Sequence, residues 1–207
     1  WLVQRPGWLA LVWPAAGQPW PLLQVVAMAV LVALLQAAPT PRRAGGLGWV
    51  FGTAWLGGTF WWLFISMHTY GGLAAPLAAL AVLGLAAFLG AYYAIASWCF
   101  WALRPKGRAL QAIVFAALWL LAELARGTWW TGFPWGASGY AHVDGPLAAL
   151  ARTVGVYGIS SVAAMLAMLV VSTLAALWWA PDALRRQQQD LPAALLYVSN
   201  WWQIHSE

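Results

Sequence analysis

Charged residues and cysteine are both scarce in this sequence. Lys and Arg number ten and Asp and Glu five among 207 residues, so charged types make up 7%, against about 25% in a soluble globular chain. So few charges could not cover the surface of a soluble protein of this size, which excludes a soluble enzyme. Cys99 is the only cysteine, which excludes a disulfide scaffold.

Hydrophobic residues, by contrast, make up 63% of the chain, which excludes a disordered segment. The net charge is +5, but the basic residues are too few and too scattered between apolar runs to form a nucleic-acid surface. The composition therefore indicates an integral membrane protein with no nucleic acid among its partners.

The charges fall in clusters, and the uncharged stretches between them are long enough to cross a bilayer, which takes about 20 mostly apolar residues. The longest such stretch, 44–103, must hold two spans, with a turn at 68–72 that contains Gly71 and Gly72. We therefore predict an all-α polytopic membrane helix bundle over residues 1–180. Its spans are expected near 21–38, 48–67, 73–101, 109–124 and 153–180, with the remnant of an earlier span at 8–13.

Basic residues in the short loops predict the orientation of these spans, because cytoplasmic loops carry an excess of Lys and Arg. By the count of spans, three basic clusters fall on one side, which should be cytoplasmic: Arg42-Arg43, then Arg104 with Lys106 and Arg108, then Arg185-Arg186. The turn at 68–72 and the loop at 126–152 should then face outward.

A few residues near the spans could carry chemistry. Glu123 and Arg126 are three apart, so they share a helix face and could pair; the alternative is a helix end that emerges into the membrane interface. His68 and His142 have no ligand partners at metal-binding spacing, so no metal site is expected. Cys99 lies in an apolar, aromatic run without a neighbouring base or cation, which predicts a buried, inert thiol.

The segment after the fourth predicted span combines helix-breaking Gly and Pro with a high density of aromatic residues. That combination indicates a structured loop partly embedded in the membrane, with a simple interfacial cap as the alternative. Most of the 18 tryptophans in the chain lie at predicted span ends, where an interfacial aromatic belt accounts for them.

Several motifs follow one another in this segment and before it. The segment contains Glu-x-x-Arg-Gly at 123–127, Thr-Gly-Phe-Pro-Trp at 131–135, Gly-Tyr at 139–140, Asp-x-Pro-Leu at 144–147 and Gly-Val-Tyr-Gly at 155–158. Earlier landmarks are Trp-Pro at 20–21, Pro-Arg-Arg-Ala at 41–44, Gly-Trp-Val-Phe-Gly at 48–52 and Tyr-Gly-Gly at 70–72. With these motifs, residues 20–180 resemble the bacterial apolipoprotein N-acyltransferases.

The resemblance implies a multi-pass protein of the bacterial inner membrane, with eight spans and a nitrilase-like α/β domain that uses a Glu, a Lys and a Cys nucleophile. A phospholipid acyl chain would form a thioester on that Cys and pass to the N-terminal diacylglyceryl-cysteine of an apolipoprotein, with no cofactor. It also places the loop at 131–135 near the entry of lipid chains. Trp135 is therefore the leading residue expected to contact the acyl chain, with Phe133 and Tyr140 as weaker candidates; the alternative is that Trp135 only packs the loop against the bundle.

This chain departs from the family pattern after residue 180. Residues 181–207 are too few for an α/β domain, and we interpret them as a linker plus a fragment of the nitrilase-like domain, on the Val-Ser-Asn and Trp-Trp at 198–202. Cys99, Lys106 and Glu123 do not match the family's triad, so no catalytic residue is expected here and the chain alone should be inactive. A small polytopic transporter and a non-catalytic membrane scaffold are the alternative functions.

Overall fold

The structure is a computed structural model that describes residues 18–179. The chain divides into two compact units, Trp1–Leu169 and Val170–Glu207. The helices and the site described below belong to the first unit, and the second is described only at residues 170–179, which continue the last helix. The predicted span remnant at 8–13 and the predicted nitrilase-like fragment at 181–207 lie outside the described residues.

The described residues form helices and turns, without strands, which confirms the all-α prediction. The α-helices are α1 (Pro21–Ala37), α2 (Pro41–Thr59), α3 (Trp61–Ile65), α4 (Ala75–Leu103), α5 (Arg108–Thr128) and α6 (Ala151–Trp179). A π-helical turn, Ser66–Tyr70, follows α3, and 3₁₀ turns at Trp129–Thr131, Ser138–His142 and Pro146–Leu150 connect α5 to α6.

Three helical segments are long and apolar enough to cross a membrane, namely Ala75–Leu103, Arg108–Thr131 and Pro146–Leu177. A fourth span results if Pro41–Thr59 and Trp61–Tyr70, which meet at a bend of 52°, are counted together. The helix in the first predicted span, Pro21–Ala37, is apolar but shorter. Length and composition thus make this a membrane protein.

Two helix boundaries differ from the sequence prediction. The helix expected near residue 48 begins at Pro41, where Thr40 accepts a hydrogen bond from the backbone N–H of Arg43 at 3.2 Å. Proline at the first helical position and a Thr cap are both start signals, so the Arg42-Arg43 pair lies in the first helical turn. The turn expected at 68–72 is helical up to Tyr70.

Helices α2 and α4 pack closely because glycines line their contact. A Cβ added at Gly48 would overlap the Ser97 hydroxyl and the backbone of Tyr93, and one added at Gly90 would overlap Thr53. Small residues allow helix backbones to approach in this way within membranes. The contact holds α2 against α4. The loop after α5 packs on both helices, on Trp55 of α2 and on Phe88 and Tyr92 of α4.

Arg104 connects the end of α4 to the end of α1. Its Nη2 donates to the carbonyl oxygens of Leu35 at 3.2 Å, Gln36 at 3.3 Å and Ala38 at 3.1 Å, and its guanidinium lies 4.5 Å from the centroid of the Trp101 ring. A cation here satisfies carbonyls that the helix end leaves without partners. Two of the predicted basic clusters therefore lie at the same end of the bundle.

Candidate functional site

The chain reverses direction tightly after α5. Trp130 (φ 54°) and Thr131 (φ 74°) adopt left-handed backbone conformations, and Gly132 (φ 75°) follows. Such conformations cost a non-glycine residue about 1–2 kcal/mol and persist only where surrounding contacts impose them. A Cβ at Gly132 would also overlap the carbonyl of Gly127. The loop at 129–140 therefore needs strong anchors.

Arg126, in the last turn of α5, supplies the first anchor. Its side chain is 0% exposed, and its Nη1 donates to the carbonyl oxygens of Phe133 at 2.5 Å and Trp135 at 2.7 Å. The backbone N–H of Phe133 donates in return to the carbonyl of Arg126 at 2.8 Å. One residue thus closes the reversal through both its backbone and its guanidinium.

Glu123, one turn earlier and also 0% exposed, supplies the second anchor. Its Oε1 accepts a hydrogen bond from the backbone N–H of Ser138 at 2.8 Å. The Ser138 hydroxyl accepts from the indole N–H of Trp119 at 3.2 Å, and the backbone N–H of Gly139 donates to the Ser160 hydroxyl at 2.7 Å. These contacts tie the far end of the loop to α5 and α6.

The expected relation between Glu123 and Arg126 therefore needs correction. They do share a buried helix face, but their hydrogen bonds go to the loop backbone rather than to each other. The alternative, a helix end emerging into the interface, is wrong because both side chains are fully enclosed by protein.

The three aromatic residues expected to contact lipid have different surroundings. Trp135 is 56% and Tyr140 58% exposed, and both line one open groove of about 520 Å³ together with Pro134 and Gly136. Phe133 points away from this groove and lies edge to face against the buried Phe60, with ring centroids 5.0 Å apart. The structure thus brings Trp135 and Tyr140 together and gives Phe133 a supporting position.

A second groove, of about 310 Å³, shares Gly136 and Tyr140 with the first. Its walls come from the start of α1, from α2 and from the loop, and its lining includes Trp20, Leu23, Gln24 and Trp55. The indole N–H of Trp55 donates to the carbonyl of Gly136 at 3.0 Å. Residues of the loop therefore line two apolar grooves.

The start of the loop lies well inside the length of α4. Trp130 packs on Phe88 and Trp129 on Tyr92, with ring centroids 5.6 Å and 6.3 Å apart. At about 1.5 Å per residue, Phe88 is about 20 Å along α4 from Ala75. The loop therefore begins beside the middle of α4 rather than at its end.

His142 connects the segment after the loop to α1. It is buried, and its Nε2 lies 2.9 Å from the Gln24 Oε1, so Nε2 carries the proton. Burial lowers the pKa of His142, because a second proton on Nδ1, which has no hydrogen-bond partner, would place a charge among buried groups. Within residues 18–179, no three His, Cys, Asp or Glu side chains form a group that could hold a metal ion.

Comparison with known proteins decides the family. Residues 7–169 match the model of the apolipoprotein N-acyltransferase N-terminal domain. The chain belongs to the apolipoprotein N-acyltransferase family. The resemblance seen in the sequence motifs is thereby confirmed.

Individual relatives agree with this assignment. The apolipoprotein N-acyltransferase of Verminephrobacter eiseniae is 61% identical over 166 residues, which cover 78% of this chain and 31% of the relative. That of Ralstonia nicotianae is 48% identical over 155 residues, covering 73% of the chain and 29% of the relative. That of Azotobacter vinelandii is 37% identical over 212 aligned positions, which cover 96% of this chain and 39% of the relative. The chain thus spans about a third of the length of these relatives.

Sequence reasoning missed the contacts that α2 and α3 make with the loop. The interfacial-belt explanation covered Trp62, and Trp55 was not singled out, yet Trp55 binds the loop backbone and Trp62 packs on Trp135. No sequence spacing signals these contacts, because each joins residues more than 70 positions apart in the chain.

Proposed function

We propose that the protein carrying this chain is an apolipoprotein N-acyltransferase of the bacterial inner membrane. In this proposal it moves an acyl chain from a phospholipid to the N-terminal diacylglyceryl-cysteine of an apolipoprotein. The observation that carries the proposal is the match of residues 7–169 to the N-terminal domain of that family. The names of the relatives support the same activity.

The chemistry proceeds in two balanced steps. A cysteine thiolate attacks the ester carbonyl of the phospholipid, and the lysophospholipid alkoxide leaves and takes up a proton. The α-amine of the apolipoprotein then attacks the thioester, loses a proton and releases the thiolate. This is covalent catalysis with one acyl-enzyme intermediate.

Cys99 is not the nucleophile in this proposal. Cys99 lies near the C-terminal end of α4, just before Arg104. Trp135 instead contacts Trp62, which lies just beyond the C-terminal end of α2. The Cys99 thiol lies in an apolar helix and is half-buried, whereas the sequence predicted a buried one. We therefore propose that Cys99 does not form the acyl-enzyme and that this chain alone does not transfer acyl groups.

The role that we propose for this chain is to present the acyl donor. Trp135 and Tyr140 expose large apolar faces to an open groove, and an aromatic face of this kind offers a rigid surface for an acyl chain. The loop that carries them begins alongside the middle of α4, where the acyl chains of the bilayer are found. Phe133 supports this part of the loop by packing on the buried Phe60.

The test is an assay of the full-length protein with phospholipid vesicles and a diacylglyceryl lipopeptide. Mass spectrometry should detect a third acyl chain on the peptide and an acyl thioester on the protein, and Cys99→Ser should retain both. A folded full-length protein that transfers no acyl chain would overturn the proposal, and loss of the thioester in Cys99→Ser would overturn the exclusion of Cys99.

A further inference from the structure

The buried charges of α5 need a reason beyond stability. Burying charges within a membrane-spanning helix is costly, and a buried pair contributes little net stability relative to apolar side chains of the same size. The hydrogen bonds of Glu123 and Arg126 go to the loop backbone rather than to each other. These side chains are therefore poorly explained as a means of stabilising the bundle.

What the two side chains do achieve is to hold the loop on both sides of Trp135. Arg126 binds the carbonyl oxygens of Phe133 and Trp135 through one nitrogen, and Glu123 binds the backbone N–H of Ser138. All three contacts reach the loop backbone from one helix face. They leave the Trp135 side chain itself free to project into the groove, where it is 56% exposed.

We infer that Arg126 is a positioning residue for acyl transfer, and that it acts by fixing the backbone at 133–135 so that the Trp135 ring faces the lipid groove. This inference depends on the proposed acyl-donor role of Trp135. Glu123 assists by fixing the loop at Ser138. A guanidinium suits this task because its planar array of N–H donors has a fixed geometry, whereas a Lys ammonium is a flexible point charge.

The first test is a double-mutant cycle in the full-length protein. Arg126→Lys should lower kcat/KM by about tenfold, since displacement of a binding group on the order of 1 Å can cost up to about a hundredfold. In a Trp135→Ala background the same change should cost less than about twofold, because the group that Arg126 positions is gone. An equal loss in both backgrounds would mean that Arg126 acts independently of Trp135 and would overturn the inference.

The second test observes Trp135 directly and needs no activity. In protein labelled with 5-fluorotryptophan, Trp135→Phe and Trp49→Phe assign two ¹⁹F resonances. Arg126→Lys should shift or broaden the Trp135 resonance. The resonance of Trp49, whose indole N–H donates to the Ala87 carbonyl at 2.9 Å, should stay unchanged. The exposed Arg152 provides the matched control, since Arg152→Lys should move neither resonance.

Two further outcomes are decisive. If Arg126→Lys does not fold, the double variant Glu123→Gln with Arg126→Gln replaces it in both tests, because removing both charges leaves neither buried alone. An unchanged Trp135 resonance in whichever variant folds would overturn the positioning role. If the wild-type protein transfers no acyl chain, the proposed function fails, and the ¹⁹F measurement alone decides whether Arg126 positions Trp135.

Discussion

Trp62 and Trp135 meet edge to face, with ring centroids 5.8 Å apart and an angle of 63° between the ring planes. The first belongs to the short helix after the bend of α2, and the second to the loop after α5. Edge-to-face pairs of this kind contribute about 0.5–1.5 kcal/mol beyond the area they bury. The bend between α2 and α3 therefore brings Trp62 against one of the residues that line the groove.

Trp135→Ala in the full-length protein should slow acyl transfer by about tenfold or more, while the free energy of unfolding falls by no more than about 1.5 kcal/mol, the contribution of the edge-to-face contact with Trp62. Its ring is more than half exposed, so truncation removes little buried area. Initial rates and thermal unfolding in the same detergent measure both quantities. A larger fall in stability, with full activity per folded molecule, would instead mean that Trp135 only packs the loop.

Gly48→Ala should destabilise the bundle by about 1–3 kcal/mol, since a Cβ at this position would overlap Ser97 and the backbone of Tyr93. Gly46→Ala is the matched control on the same helix, because a Cβ there would meet nothing within 4 Å. That control should be neutral or more stable by up to about 1 kcal/mol. Equal effects at the two positions would contradict the close packing of α2 on α4.

Protonation of His142 should make the fold less stable in mild acid. Because its folded pKa is lowered, its contribution is complete above the unfolded value of about 6.5 and is lost as the pH falls through the folded pKa. The loss is about 1.4 kcal/mol for each pH unit between the two pKa values. Unfolding measured from pH 8 to pH 4 should show this decline.

His142→Gln provides the comparison, since Gln does not titrate and the exposed His68 remains in both proteins. The decline with falling pH should be smaller in this variant. The same pH dependence in wild type and variant would show that another group is responsible.

The orientation of the bundle is open to a direct test. Reporters fused after Arg108 should lie in the cytoplasm and those after Asp144 in the periplasm, because Arg104 ties the basic loop to the end of α1 at which the Arg42-Arg43 pair also lies. Paired alkaline phosphatase and fluorescent-protein fusions distinguish the two compartments. Cytoplasmic labelling after Asp144 would reverse the orientation and place Trp135 on the wrong side for the proposed function.

Much of this protein follows from its sequence alone. The scarcity of charge and the spacing of the charged clusters determine a helical membrane protein, because only helices satisfy their own backbone groups in lipid over such apolar runs. The ordered motifs at 123–158 determine the family and place Trp135 and Tyr140 in a structured loop. These signals are local, since each depends on composition or on neighbours along the chain.

The tertiary structure alone decided how the loop is held and what surrounds it. Arg126 and Glu123 share a helix face in the sequence, but only the fold shows that they bind the carbonyls at 133 and 135 and the N–H at 138. Trp62 reaches Trp135 from the short helix that follows the 52° bend, and no residue pattern predicts this bend. Burial, bends and side-chain direction arise from packing between distant segments, and such packing leaves no periodic trace in one sequence.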